Sequence, residues 1–123
     1  MKKRVIILGG GISKERLISL ETARSVYKEL KKNKNYKSII AEPDNHFLKK
    51  IKSFKPDIIF NALHGQFGED GYIQTIIESQ KINYTHSGVL ASAVAMDKEI
   101  SKKIFLKNKI LTPKYLKYNF NQK

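Results

Sequence analysis

Short apolar, β-branched runs alternate along the chain with segments whose apolar positions recur every three or four residues. Arg4–Leu8 runs into Gly9-Gly10-Gly11, and residues 13–32 then place Leu17, Leu20, Ala23, Val26, Tyr27 and Leu30 at helical spacing. This predicts a strand, a glycine turn and an amphipathic helix of about 18 residues. Lys28, Lys31, Lys32 and Lys34 crowd the last turn and exit of that helix, where cations suit the negative end of the helix dipole. Tyr36–Ala41 predicts a second, weaker strand, Glu42-Pro43-Asp44-Asn45 a turn, and Phe47, Leu48, Ile51 and Phe54 a short helix over 46–54. Asp57-Ile58-Ile59-Phe60, behind Lys55-Pro56, reads as a third strand covered on both faces.

Residues 71–80 put Ile73, Ile76 and Ile77 on one face of a third helix, and Ile82–Thr85 is a fourth strand. Ser87 is placed to cap a helix over 88–96, whose small Ala91, Ser92, Ala93 and Ala95 allow close packing. Asp97 is placed to cap another, with Ile100, Ile104 and Phe105 inward and an end near Asn108. Thr112-Pro113 breaks it, and Tyr115–Tyr118 alternates like a strand without a visible partner. Strand and helix thus alternate throughout, the signature of a parallel sheet with right-handed crossovers. The expected fold is α/β: a three-layer, Rossmann-like or flavodoxin-like domain with a mainly parallel sheet of about four strands. Strand order 2-1-3-4 sets the loops after the first and third strands side by side at a topological switch point, where open sheets of this kind bind ligands.

Length and composition narrow the function. A chain of 123 residues makes one domain able to bury a core without staples. The absence of cysteine excludes thiol catalysis, disulfides and cysteine-ligated zinc. The amino-terminal Met1-Lys2-Lys3-Arg4 and its apolar run break at the glycines, too soon for a signal peptide or a membrane span, so a cytoplasmic protein is expected. The net charge of +13 raises nucleic acid as a partner. Arginine occurs only at Arg4, Arg16 and Arg24, however, and the lysines are scattered without an aromatic platform. No nucleic-acid partner is expected, because phosphate and base recognition favour the arginine fork.

Chemistry concentrates where the third strand hands over to Asn61-Ala62-Leu63-His64-Gly65-Gln66-Phe67-Gly68-Glu69-Asp70-Gly71. His64 stands just past a strand's carboxyl end, either as a local hydrogen-bonding residue or as part of a site. The first loop does not complete a dinucleotide fingerprint, since Lys14 stands where the third glycine belongs, nor does it match a phosphate loop. Glu42 lies farther along than a ribose-binding acid usually does. Glu15 opens the first helix, where its carboxylate suits the dipole. Lys98, at the start of a helix, is badly placed for the dipole and is either solvated or turned to an anion. Asp70 reads as a cap for the third helix with Glu69 beside it. The two acids lack the further carboxylate of a hard-metal site, and none is expected here.

Four blocks, in order and spacing, resemble the amino-terminal, pre-ATP-grasp domain of D-alanine–D-alanine ligases. They are Leu8-Gly9-Gly10-Gly11-Ile12-Ser13-Lys14-Glu15-Arg16 with Ser19-Leu20, then Asn61-Ala62-Leu63-His64-Gly65 with Gly68-Glu69-Asp70-Gly71, then Tyr84-Thr85 with Ser87-Gly88-Val89-Leu90-Ala91-Ser92-Ala93, and Ala95-Met96-Asp97-Lys98. The resemblance runs from about Val5 to about Tyr118. It implies an ATP-dependent ligase that joins two D-alanines for cell-wall precursor synthesis, with ATP and Mg²⁺ (or Mn²⁺) bound mainly by residues outside this chain. It implies that Glu15 engages the ammonium of the first D-alanine and orients catalytic groups, that His64 lines the same subsite, and that Lys98 reaches towards ATP phosphates. It further implies a homodimer for the whole enzyme and no membrane partner. Residues 1–111 would be the substrate-binding domain and 112–123 a linker or strand leading into an absent ATP-grasp domain, leaving the chain inactive alone. A stand-alone ligand-binding or regulatory domain is the other expectation. Leu17 and His86 depart from the family pattern, which has an acid and a glycine there.

Overall fold

The computed structural model describes residues 2–118. In chain order the elements are β1 (Lys3–Leu8), α1 (Arg16–Lys32), β2 (Tyr36–Ala41), α2 (Phe47–Phe54), β3 (Ile58–Asn61), α3 (Tyr72–Ser79), β4 (Asn83–Tyr84), α4 (Val89–Met96) and α5 (Lys98–Lys107). The four strands form one sheet in the order β2-β1-β3-β4, every pair parallel. The expected order is therefore the observed one, and the loops after β1 and β3 leave the sheet side by side.

Alternation along the central strand divides the core in two. Ile6 and Leu8 pack with Phe47, Ile51, Ile73 and Ile77, so α2 and α3 cover one face. Val5 and Ile7 pack with Ala23 and Ala62, under α1, on the other. Side chains of a strand buried on both faces need no polar alternation, which is why the β1 and β3 sequences are near-continuous apolar runs. Gly9 ends β1 against α1: a Cβ there would lie 2.5 Å from the Ala23 Cβ and 3.3 Å from the Ser19 carbonyl oxygen. Without a side chain at this point the helix sits directly on the strand's exit.

Several sequence expectations change in detail. α1 begins at Arg16 rather than at Ser13, and Leu17, expected on its apolar face, is 76% exposed. Ser19 occupies that face instead, fully buried. Ser87 does not cap α4; the cap is Gly88 without a side-chain bond, and the Ser87 carbonyl accepts from the Ser92 hydroxyl at 3.1 Å. Asp97 does cap α5, accepting from the amides of Glu99 and Ile100 at 2.9 Å each. Ile100, Ile104 and Phe105 point outward rather than inward, each at least 40% exposed, because α5 packs on α4 and not on the sheet. Tyr115–Tyr118 forms no strand. The expected linker over 112–123 has neither helix nor strand as far as residue 118, and 119–123 lie outside the described residues. No helix among the described residues is long and apolar enough to cross a membrane.

At the outer edge of the sheet the Tyr84 hydroxyl donates to Glu78 Oε1 at 2.5 Å. Burial, and then this bond to a carboxylate, push its pKa from 10.0 up to about 12. A folded-state value above the unfolded one makes the contribution complete below pH 10 and lost as pH rises through about 12. Titrating phenolate absorbance in the native chain and in Tyr84→Phe should leave a difference curve that is a single ionisation near pH 12. A difference curve centred near 10 would show that the hydroxyl is not held by Glu78.

Candidate functional site

Two serine hydroxyls join the loop after β1 to the loop after β3. The Ser13 hydroxyl donates to the His64 carbonyl at 2.8 Å and accepts from the Glu15 amide at 3.1 Å. The buried Ser19 hydroxyl donates to the Ala62 carbonyl at 2.8 Å and accepts from the Gly10 amide at 2.9 Å. Each hydroxyl spends its one proton on one loop and offers a lone pair to the other. Glu15 and His64, 49 positions apart in the chain, are thereby held at one corner of the sheet.

Glu15 is the cap residue of α1, exposed to solvent, and its carboxylate lies over Gly65. Gly65 has φ +69°, and a Cβ on it would come within 2.6 Å of Glu15 Oε2. The left-handed turn favours glycine at this position, and the carboxylate passes where a Cβ would stand. His64 is half-buried, with its Nε2 3.2 Å from the Thr22 hydroxyl on α1. Beside it a cavity of about 450 Å³ opens between α2 and α3, lined among others by Gly11, Ser13, Phe47, His64, Tyr72 and Ile76.

The acids of the β3–α3 loop serve the loop itself. Glu69 Oε2 accepts from the Gly65 amide at 2.8 Å. Asp70 accepts from the Phe67 amide at 2.8 Å and the Tyr72 amide at 3.1 Å, tying the turn to the first residue of α3. Asn61, buried at the end of β3, donates to the Gly68 carbonyl at 2.8 Å and accepts from the Leu63 amide at 3.1 Å. No group of three or more potential metal ligands occurs among the described residues. Glu42 pairs with Arg16 at 2.6 Å.

Lys98 is not brought to this corner. It is the first residue of α5, exposed, on a helix packed against α4, which in turn meets α3. Further along α5, Glu99 is bonded by Lys103 and Lys117, which pull its pKa down from 4.5 to about 2. Lys102 donates to Thr112 and to the Pro113 carbonyl.

No family model matches the chain. The D-alanine–D-alanine ligase of Pelagibacter ubique is 71% identical over 119 residues, which are 97% of this chain and 39% of that relative. The enzyme of the same name from Zymomonas mobilis is 46% identical over 112 residues. The chain belongs to the D-alanine–D-alanine ligase family, as its amino-terminal domain. A crystal structure of D-alanine–D-alanine ligase from Bacillus anthracis complexed with ATP superposes with a TM-score of 0.78 at 34% identity, over 98% of this chain and 43% of that one. The chain thus spans less than half the length of these ligases. Leu17 and His86, expected from the sequence to depart from the family pattern, are both exposed, outside the hydrogen bonds that join the two loops.

Sequence reasoning singles out Glu15 and His64, which the structure brings to one corner, but not the hydroxyls bonded beside them. Ser13 and Ser19 fall within the first block of the resemblance, but nothing in it assigns their hydroxyls a partner, and Thr22 lies outside every block. One signal was present: Ser19 precedes Ala23, Val26 and Leu30 at spacings that continue the buried stripe of α1, and a hydroxyl on a buried stripe needs partners.

Proposed function

We propose that this chain supplies the first D-alanine subsite of a ligase that joins two D-alanines at the expense of ATP. The observation that carries the reading is the pairing of Glu15 and His64 across the switch point through Ser13, in a domain whose relatives bear that ligase name. In this reading Glu15 receives the ammonium of the first D-alanine, a charge-assisted contact at the positive end of α1. His64 closes the same subsite from β3. ATP supplies the phosphoryl group that activates the carboxylate of the first D-alanine, and the amine of the second then displaces phosphate to form the peptide bond.

Lys98 is proposed to meet ATP phosphates. Its ammonium suits phosphate as a point charge, and among the described residues it has no hydrogen-bond or ion-pair partner. The acids near the site are engaged by loop amides, so Mg²⁺ in this reading is held by the part of the ligase outside this chain. Residues 1–111 form the substrate-binding domain and the following residues lead into the ATP-grasp part. The whole enzyme is proposed to be a cytoplasmic homodimer acting on D-alanine and ATP, without nucleic acid or membrane as partner.

A chimera joining residues 1–111 to the remainder of the Pelagibacter ubique ligase tests this. It is expected to form D-alanyl-D-alanine with release of phosphate, while the chain alone forms none. A folded chimera that turns over no D-alanine would favour a stand-alone binding or regulatory domain instead.

A further inference from the structure

The contact between Thr22 and His64 contains more than proximity. The Thr22 hydroxyl lies 3.0 Å from the Ile18 carbonyl, four residues back on α1, and 3.2 Å from His64 Nε2. A threonine hydroxyl has one proton and two lone pairs. A carbonyl oxygen only accepts, so the contact with Ile18 is a hydrogen bond only if the proton is spent there, the i−4 pattern common for helical threonine. Turning the proton to the imidazole would set a hydroxyl lone pair against the Ile18 lone pairs at 3.0 Å. What remains for His64 Nε2 is a lone pair of the hydroxyl, and a ring nitrogen facing a lone pair must carry the hydrogen.

We propose that Thr22 is a positioning residue that fixes the tautomer of His64, holding hydrogen on Nε2 and leaving Nδ1 as the ring atom that meets substrate. The backbone of His64 is fixed separately: its carbonyl accepts from Ser13, and the next amide, Gly65, donates to Glu69. Ring and backbone are thus held from three elements, α1, the β1–α1 loop and the β3–α3 loop. Nδ1 has no hydrogen-bond partner among the described residues, while His64 lines the cavity beside the loops. The neutral ring therefore presents a lone pair, not an N–H, and any proton taken up enters at Nδ1. Such a nitrogen accepts from an ammonium when neutral and donates to a carboxylate or phosphate oxygen when protonated. Thr22 touches no substrate in this arrangement; it acts through the ring.

The assignment to the first D-alanine rests on the proposed function, whereas the tautomer rests on the hydrogen bonds alone, and the two are tested apart. Long-range ¹H–¹⁵N correlation on the ¹⁵N-labelled chain at alkaline pH reads the tautomer of each of its 3 histidines, with His64→Gln assigning the His64 signals by their loss. The native chain and Thr22→Ser are expected to give one Nε2–H pattern for His64, and Thr22→Val a mixture of both tautomers. A native chain showing Nδ1–H, or a folded Thr22→Val indistinguishable from native, overturns the proposal. The native spectrum alone decides the first point, whatever the variant does to stability.

In the chimera described above, Thr22→Val is expected to raise KM for the first D-alanine by about 2- to 10-fold, the weight of one neutral hydrogen bond, with Thr22→Ser restoring it. Unchanged KM with a changed tautomer would sink the link to substrate and leave the tautomer standing. An inactive chimera would instead count against the proposed function.

Discussion

In a ligase carrying this domain, Glu15→Gln is expected to lower kcat/KM for the first D-alanine by roughly 10- to 150-fold. The substitution keeps the side chain's size and its place at the start of α1 but leaves the proposed substrate ammonium facing a neutral amide. Losing one hydrogen bond to a charged group costs about 1.5 to 3 kcal/mol, and about 1.4 kcal/mol is a decade of rate. The carboxylate is exposed and lies over Gly65 rather than in an ion pair, so its removal breaks no internal salt link and the fold should be indifferent. Varying D-alanine and ATP separately in steady-state kinetics isolates the effect. An unchanged kcat/KM for D-alanine would reduce Glu15 to a helix cap.

The second large effect falls on stability. Ser19→Ala should destabilise the chain by roughly 2 to 6 kcal/mol, because two buried backbone groups lose a partner at about 1 to 3 kcal/mol each. These are the Gly10 amide and the Ala62 carbonyl, both in the buried end of the sheet. The methyl that remains cannot bond either group, and the site is closed to water. Urea unfolding should show a lower midpoint with an unchanged slope. Ser53→Ala provides the contrast, since that hydroxyl is on the surface of α2 and its loss should fall within about 0.5 kcal/mol. A Ser19→Ala midpoint equal to that of Ser53→Ala would show that the two loops are joined by other means.

Strand order and the position of His64 were legible in the sequence because both follow from the period of the apolar runs and from where a parallel sheet binds its ligands. Asp97 was legible as a cap for a similar reason: a short acid directly before a helical stripe has one dominant use. The errors have a common physical origin. Periodicity reports that a helix has an apolar face but not what that face meets, so the stripe of Ile100, Ile104 and Phe105 predicts an inward face although α5 packs on α4 rather than on the sheet. Tyr115–Tyr118 alternates as a strand does, yet alternation without a neighbouring strand leaves the ladder unpaired. The hydroxyls of Ser13, Ser19 and Thr22 were invisible for a different reason. Their long-range partners lie 42 to 51 positions away, and local pattern cannot see bonds that exist only after the loops are adjacent.

One feature of the sheet bears on how such a domain survives in solution. The β4 strand is only two residues long, and beyond it lies the end of the sheet. An unpaired strand border is a template on which another chain can polymerise, and very short or lysine-bearing borders are the usual defence. Here one border is too short to seat a stranger's backbone, and the opposite one, β2, carries the exposed Lys37. Among the described residues, the parallel ladder that builds the site therefore ends in one border of two residues and one of six that carries a lysine, each a poorer template for cross-β addition than a long apolar border.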